Sequence, residues 1–287
     1  MLASLIGPAF GHGGYHERLA YLTEEVKKNP SDPRLHFELG DLHGQHGDLK
    51  LSLDNLDRAD ALAPGKFQTE LLRGQALLVA GQPARAKEAL DRQIASQPEC
   101  VPARLLRARA SQRTGESAAS LADYRDVWSR TPLPEPDLVQ EVADALAAQG
   151  CQAEAAQVLA QGIEKLGKIP SLVLRAMDLE IATKNFDAAL ARVDAMRQSV
   201  LRPEPWMARR ASILAQAGRI EESSAAWNAL VKQLAELPNQ ERGSHAMSKL
   251  MEEARHALAS LASLSASNPP APTSQLPSKS KPSHDDH

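Results

Sequence analysis

Five histidines fall early in the chain: His12, His16, His36, His43 and His46. His43 and His46 stand three residues apart, flanked by Asp41 and Asp48. On a helix that spacing puts both imidazoles on one side, and nitrogen with carboxylate donors suits a divalent metal. His284-Asp285-Asp286-His287 offers the same donor types at the other end. There the surrounding residues have no apolar period, so binding would have to offset the whole cost of ordering the segment. Four arginines, Arg104, Arg107, Arg109 and Arg113, form the densest cationic stretch. Nucleic acid does not fit them, because aromatics for base stacking make up only 3% of the chain and the net charge is −3. Gly11-His12-Gly13-Gly14 precedes a helix but follows no strand, so it does not make a dinucleotide loop. No Gly-x-Ser-x-Gly elbow occurs, and nothing gathers Ser, His and Asp into a triad. The residues therefore predict no catalytic set and no cofactor, and they leave metal or small-molecule binding by the N-terminal histidines as the alternative to a purely protein-binding role.

The elements that would carry these residues are set by a period. Glycines stand at Gly47, Gly81 and Gly115, and prolines at Pro30, Pro64, Pro98 and Pro132, in both cases 34 residues apart. The glycine recurs at Gly150, one residue late, and at Gly218, with Lys184 in the slot between them. Before each glycine runs a segment with apolar residues at helical spacing, such as Leu35, Leu39 and Leu42. Glycine ends that helix, because it accepts the positive φ of a helix terminus. A second amphipathic segment follows, such as Leu49, Leu53, Leu56 and Ala59, and a proline closes it. Abundant Ala and Leu among the apolar residues, which make up 43% of the chain, suit close helix–helix packing better than sheet. No stretch of 18 or more apolar residues is present, so no membrane span is predicted.

With this period the sequence resembles the tetratricopeptide repeat family from about Pro33 to Pro238. The family's small eighth residue corresponds to Gly40, Gly74, Ala108, Ala143, Met177 and Ala211. Its small twentieth residue corresponds to Ser52, Ala86, Ser120, Ala155, Ala189 and Ser223, and its large twenty-fourth to Leu56, Leu90, Tyr124, Leu159, Val193 and Trp227. Gly167 at the proline position and Met177 in a small slot depart from the pattern. The resemblance implies an all-α fold, a right-handed superhelical α-solenoid of helix–turn–helix repeats. Six units follow from it, at 33–66, 67–100, 101–135, 136–169, 170–203 and 204–238. A capping helix at 15–32, with the stripe Leu19, Leu22 and Val26, covers one end. One long capping helix from Gln240 to about Leu264, within a segment at 239–265, covers the other. Residues 266–287, rich in Ser, Pro, Lys and Asp, are expected to be disordered. Residues 1–14 read either as a plain start or as the tail end of an export signal, which leaves a cytoplasmic and a periplasmic location both open. Cys100 and Cys151 fall in turns at opposite edges of the array, about 20 Å apart by helix length. A disulfide needs Cα atoms within about 7 Å, so both are expected as free thiols.

Members of the family bind proteins or peptides in a concave groove lined by the first helix of each unit. The resemblance therefore implies a non-enzymatic scaffold whose groove residues are Arg34, Phe37, Asp41, Gln45, Gln68, Leu71, Gln75, Leu78, Leu105, Arg109, Gln112, Arg113, Asp144 and Asp178. Arg109 and Arg113 would meet an acidic group of the partner. Members that bind chaperone tails place Lys and Asn at positions five and nine of the first unit, where this chain has Phe37 and Asp41, and Pro102 and Leu106 replace two further basic residues. That partner class is thus not expected. His43 falls on the eleventh position, usually a packed aromatic. Arg73, Arg107 and Arg210 share the seventh, a solvated or interhelical place.

Overall fold

The computed structural model describes residues 12–267, all helix and turn with no strand among them. The expectations for residues 1–11 and for the tail beyond residue 267 lie outside the described residues. The chain divides into two compact bodies after Leu172. This division falls inside a helix of the fifth unit, and nothing in the period signals it.

In the first body an N-terminal helix α1 (His12–Lys28) precedes four helix pairs. They are α2 (Pro33–Gln45) with α3 (Leu49–Leu62), α4 (Thr69–Val79) with α5 (Pro83–Ser96), α6 (Val101–Thr114) with α7 (Ser117–Arg130), and α8 (Pro136–Ala148) with α9 (Gln152–Leu166). Helix α10 (Pro170–Ala182) leads into the second body, which holds α11 (Phe186–Arg197), α12 (Glu204–Gln216), α13 (Ile220–Glu236), α14 (Asn239–Arg242) and α15 (His245–Ser267). Prolines open α2, α5 and α8 at a first-turn position, where the missing N–H has no intrahelical role. Asp32 caps α2 by accepting from the Arg34 N–H at 2.9 Å.

The same turn closes the first helix of every unit. The amide of the residue after the glycine, or after Lys184 in the fifth unit, reaches back to the carbonyl five residues earlier: Asp48 to His43, Gln82 to Leu77, Glu116 to Ser111, Cys151 to Leu146, Asn185 to Glu180 and Arg219 to Leu214, all between 2.7 and 2.9 Å. This is the long bond of a Schellman motif, which requires one left-handed residue. Gly115 supplies it at φ +82°. In the fifth unit Lys184 takes the same conformation at φ +59°. A side chain there costs about 1–2 kcal/mol, against the roughly 0.5–1 kcal/mol of extra entropy that glycine loses on folding. Lys184→Gly is therefore expected to stabilise the turn by about 0.5–1 kcal/mol. Slower hydrogen exchange of the α10–α11 amides would register the gain, and faster exchange would contradict it.

Each pair packs through the small slots. Leu56, Leu90, Tyr124, Leu159, Val193 and Trp227 are all buried. Where the twentieth residue is serine, its hydroxyl donates to the carbonyl of the eighth: Ser52 to Gly40 at 2.7 Å, Ser120 to Ala108 at 2.9 Å and Ser223 to Ala211 at 2.8 Å. Arginines at the seventh position bridge to an aspartate sixteen residues earlier, in the preceding unit: Arg73 to Asp57 at 2.6 Å, Arg107 to Asp91 at 2.8 Å and Arg210 to Asp194 at 3.0 Å. Arg107 also clamps the buried Asp123 with two bonds of 2.7 Å.

The expected long C-terminal helix is broken. Gly243 ends α14, and the Ser244 hydroxyl accepts from the Met247 N–H at 3.4 Å at the start of α15. Beyond that break, Ala254 and Leu261 of α15 are buried in one cluster with Met207, Ala211, Trp227 and Leu234.

Candidate functional site

The described part of the N-terminal histidine cluster does not assemble as a metal site. His36 is buried and bonded at both ring nitrogens, Nδ1 to Asn55 at 3.2 Å and Nε2 to the Pro30 carbonyl at 3.1 Å. His43 is buried in the eleventh position, its Nδ1 3.7 Å from Asp48. His46 stacks against Tyr15, with ring centroids 3.5 Å apart. His16 lies at the edge of Tyr15, 5.2 Å away. Among the described residues no group of three or more His, Cys, Asp or Glu is placed to hold a metal ion. The spacing of three that suggested one instead puts one ring into the core and the other against an aromatic. Cys100 and Cys151 are free thiols.

The first helices of the first body form the surface that remains. Helix α4 packs between α2 and α6, so the exposed sides of these three lie side by side. Arg34 and Gln45 are exposed on α2, with Phe37 and Asp41 half-buried between them. Arg34 is held by Glu38 at 3.0 Å. Phe37 stacks on Phe67, in the turn before α4, at 4.9 Å and 20°. Gln68 is exposed and donates to Gln97 at 2.7 Å, while Gln75 is half-buried on α4. Leu71 and Leu78 depart from the expected open surface. Both are buried, Leu71 with Leu90 and Ala103, Leu78 with Ala86 and Ala110, because neighbouring helices close over those positions. On α6, Leu105 is half-buried and Gln112 and Arg113 are exposed. Asp144 is exposed on α8. Asp178 belongs to the second body, where it pairs with Arg209.

The two arginines expected to receive an acidic partner already have acceptors. Arg109 binds Glu141 of α8 with two parallel bonds of 2.7 Å. Tyr124 donates to the same carboxylate at 2.8 Å. Burial and Glu141 together push the Tyr124 hydroxyl well above its ordinary pKa, so it stays a donor. Arg113 donates to the Leu78 carbonyl at 2.9 Å. Glu141 and Phe67 are the members that the repeat positions missed, since neither occupies a groove position of the family.

Asp41 is the reverse case. Burial raises its pKa, Glu38 adds to the rise, and a bond from Gln45 opposes it. A carboxyl raised in the folded state contributes most stability below its unfolded pKa and loses it as pH rises through the folded value. As pH rises through that value, ionising Asp41 becomes a cost. Asp41→Asn, a neutral mimic of the protonated carboxyl, is thus expected to match wild type at pH 3 and to equal or exceed it at pH 7. Thermal melts followed by circular dichroism at both pH values test this, and a lower melting temperature for the variant at pH 7 would contradict it.

No curated protein matches the sequence. A family model described as tetratricopeptide repeat matches residues 9–66 and 71–132. Among solved structures, the chain is similar to MamA, residues 41 to the end, from Desulfovibrio magneticus, with 21% identity, a TM-score of 0.47, and coverage of 53% of this chain and 85% of that one. A thermophilic tetratricopeptide repeat protein of Thermus thermophilus aligns with 20% identity and a TM-score of 0.47 over 58% of this chain and 91% of that one. PilW, a type IV pilus biogenesis factor, aligns with 15% identity and a TM-score of 0.54 over 65% of this chain and 86% of that one, a likeness of fold. The family match spans the first of the helix pairs, and the same turn recurs in all six, so residues 9–66 and 71–132 carry tetratricopeptide repeats and the later pairs repeat their turn.

Proposed function

We propose that this chain is a non-enzymatic scaffold that binds a protein or peptide partner on the face made by α2, α4, α6 and α8. The observation that carries the proposal is the character of that face. It joins half-buried aromatic and apolar side chains (Phe37, Phe67, Leu105) to exposed amides and charges (Gln45, Gln68, Gln112, Arg113). Anchors surrounded by a polar rim are what a protein-binding surface needs. On the opposite helices Arg125 of α7 bridges units through Glu154 of α9 at 2.7 Å. No helix among the described residues is long and apolar enough to cross a membrane.

Photocrosslinking in the native cell tests the reading. A benzophenone amino acid placed at Gln75 or Gln112 should capture one partner, and the same group at Glu88 of α5 or Ala122 of α7 should not. Equal capture from all four positions would move the binding surface elsewhere. Capture from none would remove the scaffold reading.

A further inference from the structure

The basic residues of the candidate face have anionic or carbonyl partners, whereas Asp41 has no cationic partner among the described residues. Arg34 is paired with Glu38, Arg109 with Glu141, and Arg113 with the Leu78 carbonyl. Among the described residues none forms an ion pair with Asp41; an amide, Gln45, is its hydrogen-bond partner. Asp41 lies four residues after Phe37 on α2, so the two side chains share one helix face. Phe37 in turn stacks on Phe67. One cation of the chain, the Lys66 ammonium, already lies 5.7 Å from the Phe67 ring centre.

Resting on the binding face proposed above, we infer that its α2 end recognises a cationic side chain of the partner, with Asp41 as counter-charge and the Phe37–Phe67 stack as platform for the apolar stem. A lysine or arginine suits both halves of this site. Its methylenes cover apolar surface while its head group reaches a carboxylate, and an aromatic face attracts a cation electrostatically. A half-buried carboxylate gains more from an incoming cation than an exposed one, because the local dielectric is lower. An acidic segment is disfavoured for the complementary reason. It would have to displace Glu141 from a bidentate bond and would bring a like charge to Asp41. The partner class is therefore a basic peptide segment that carries an apolar residue beside its charge.

A random peptide library displayed on phage and panned on the full chain separates this inference from the reading it rests on. Wild type should select sequences enriched in Lys and Arg, and Asp41→Lys should lose that enrichment. A basic peptide so selected, labelled with fluorescein, should bind Asp41→Asn and Phe37→Ala each about tenfold more weakly than wild type by anisotropy. Raised salt should reduce the gap for Asp41→Asn. Selected sequences without basic enrichment, or the same basic sequences selected by Asp41→Lys, would overturn the charge assignment and leave the face standing. Failure to select any sequence would overturn both. Circular dichroism of each variant, required to match wild type, excludes misfolding as the cause of a loss.

Discussion

Arg107→Met is expected to destabilise the third unit by about 3 kcal/mol. Asp123 is buried in α7, with 5% of its side chain exposed, and Arg107 is its bidentate partner. Removing the guanidinium leaves a buried carboxylate with only Arg104 nearby, at 3.9 Å. The lost bridge to the exposed Asp91 adds little, because surface pairs are worth about 0–1 kcal/mol. The cost lies in the stranded charge, so a further outcome follows. Arg107→Met with Asp123→Leu should recover most of the loss, since an apolar pair of similar volume replaces a buried ion pair at small cost. Hydrogen exchange is the suitable measurement because repeat arrays open in local units. Amides of α6 and α7 should exchange about a hundredfold faster in Arg107→Met at pH 7. Unchanged exchange would show that the Arg107–Asp123 clamp contributes nothing beyond its geometry.

Gly74→Val is expected to cost about 3 kcal/mol. A Cβ at residue 74 would sit 2.5 Å from Leu90 Cγ and 2.6 Å from its Cδ2, far inside contact distance. Leu90 is fully buried and cannot swing into solvent. Valine brings two methyls beyond the Cβ, and its gain in helix propensity over glycine, roughly a few tenths of a kcal/mol, does not compensate. Helices α4 and α5 must then separate, which opens the contacts of Leu77, Leu78 and Ala86. Combining Gly74→Val with Leu90→Ala should cost clearly less than the sum of the two single changes, because one creates the space that the other fills. Exchange rates of the α4 and α5 amides measure both. A Gly74→Val variant as stable as wild type would mean that the pair has slack at its closest approach.

The small residues were legible because the period aligns them. In the first two units position eight meets position twenty-four, Gly40 against Leu56 and Gly74 against Leu90. In the fifth unit the small slot holds Met177 and the large slot Val193, and both are buried. The period of 34 also carries a signal of charge. Asp57, Asp91 and Asp194 each stand sixteen residues before Arg73, Arg107 and Arg210. Where the seventh residue is Ala176, residue 160 is alanine as well. These bridges were readable as a second period, although the seventh-position arginines by themselves suggested only a solvated or interhelical place.

The sequence by itself determined the helix pairs, the turns between them and the slots through which they pack. Each of these depends on residues close in the chain: a left-handed residue after a helix, a proline at a first turn, an apolar stripe at helical spacing. Even Lys184 could be assigned its turn, because the surrounding register left it no other place. Only the tertiary structure decided which side chains face outward and which charges are free. Leu71 and Leu78 occupy groove positions but are covered by neighbouring helices, and that depends on how units stack. Arg109 looked like a receptor for an acid until Glu141, 32 residues away on another helix, was placed against it. The break at Gly243–Ser244 and the division after Leu172 likewise follow from packing, which the period does not encode. A charge pattern can be read along a chain, but whether a charge is available is settled by what folds next to it.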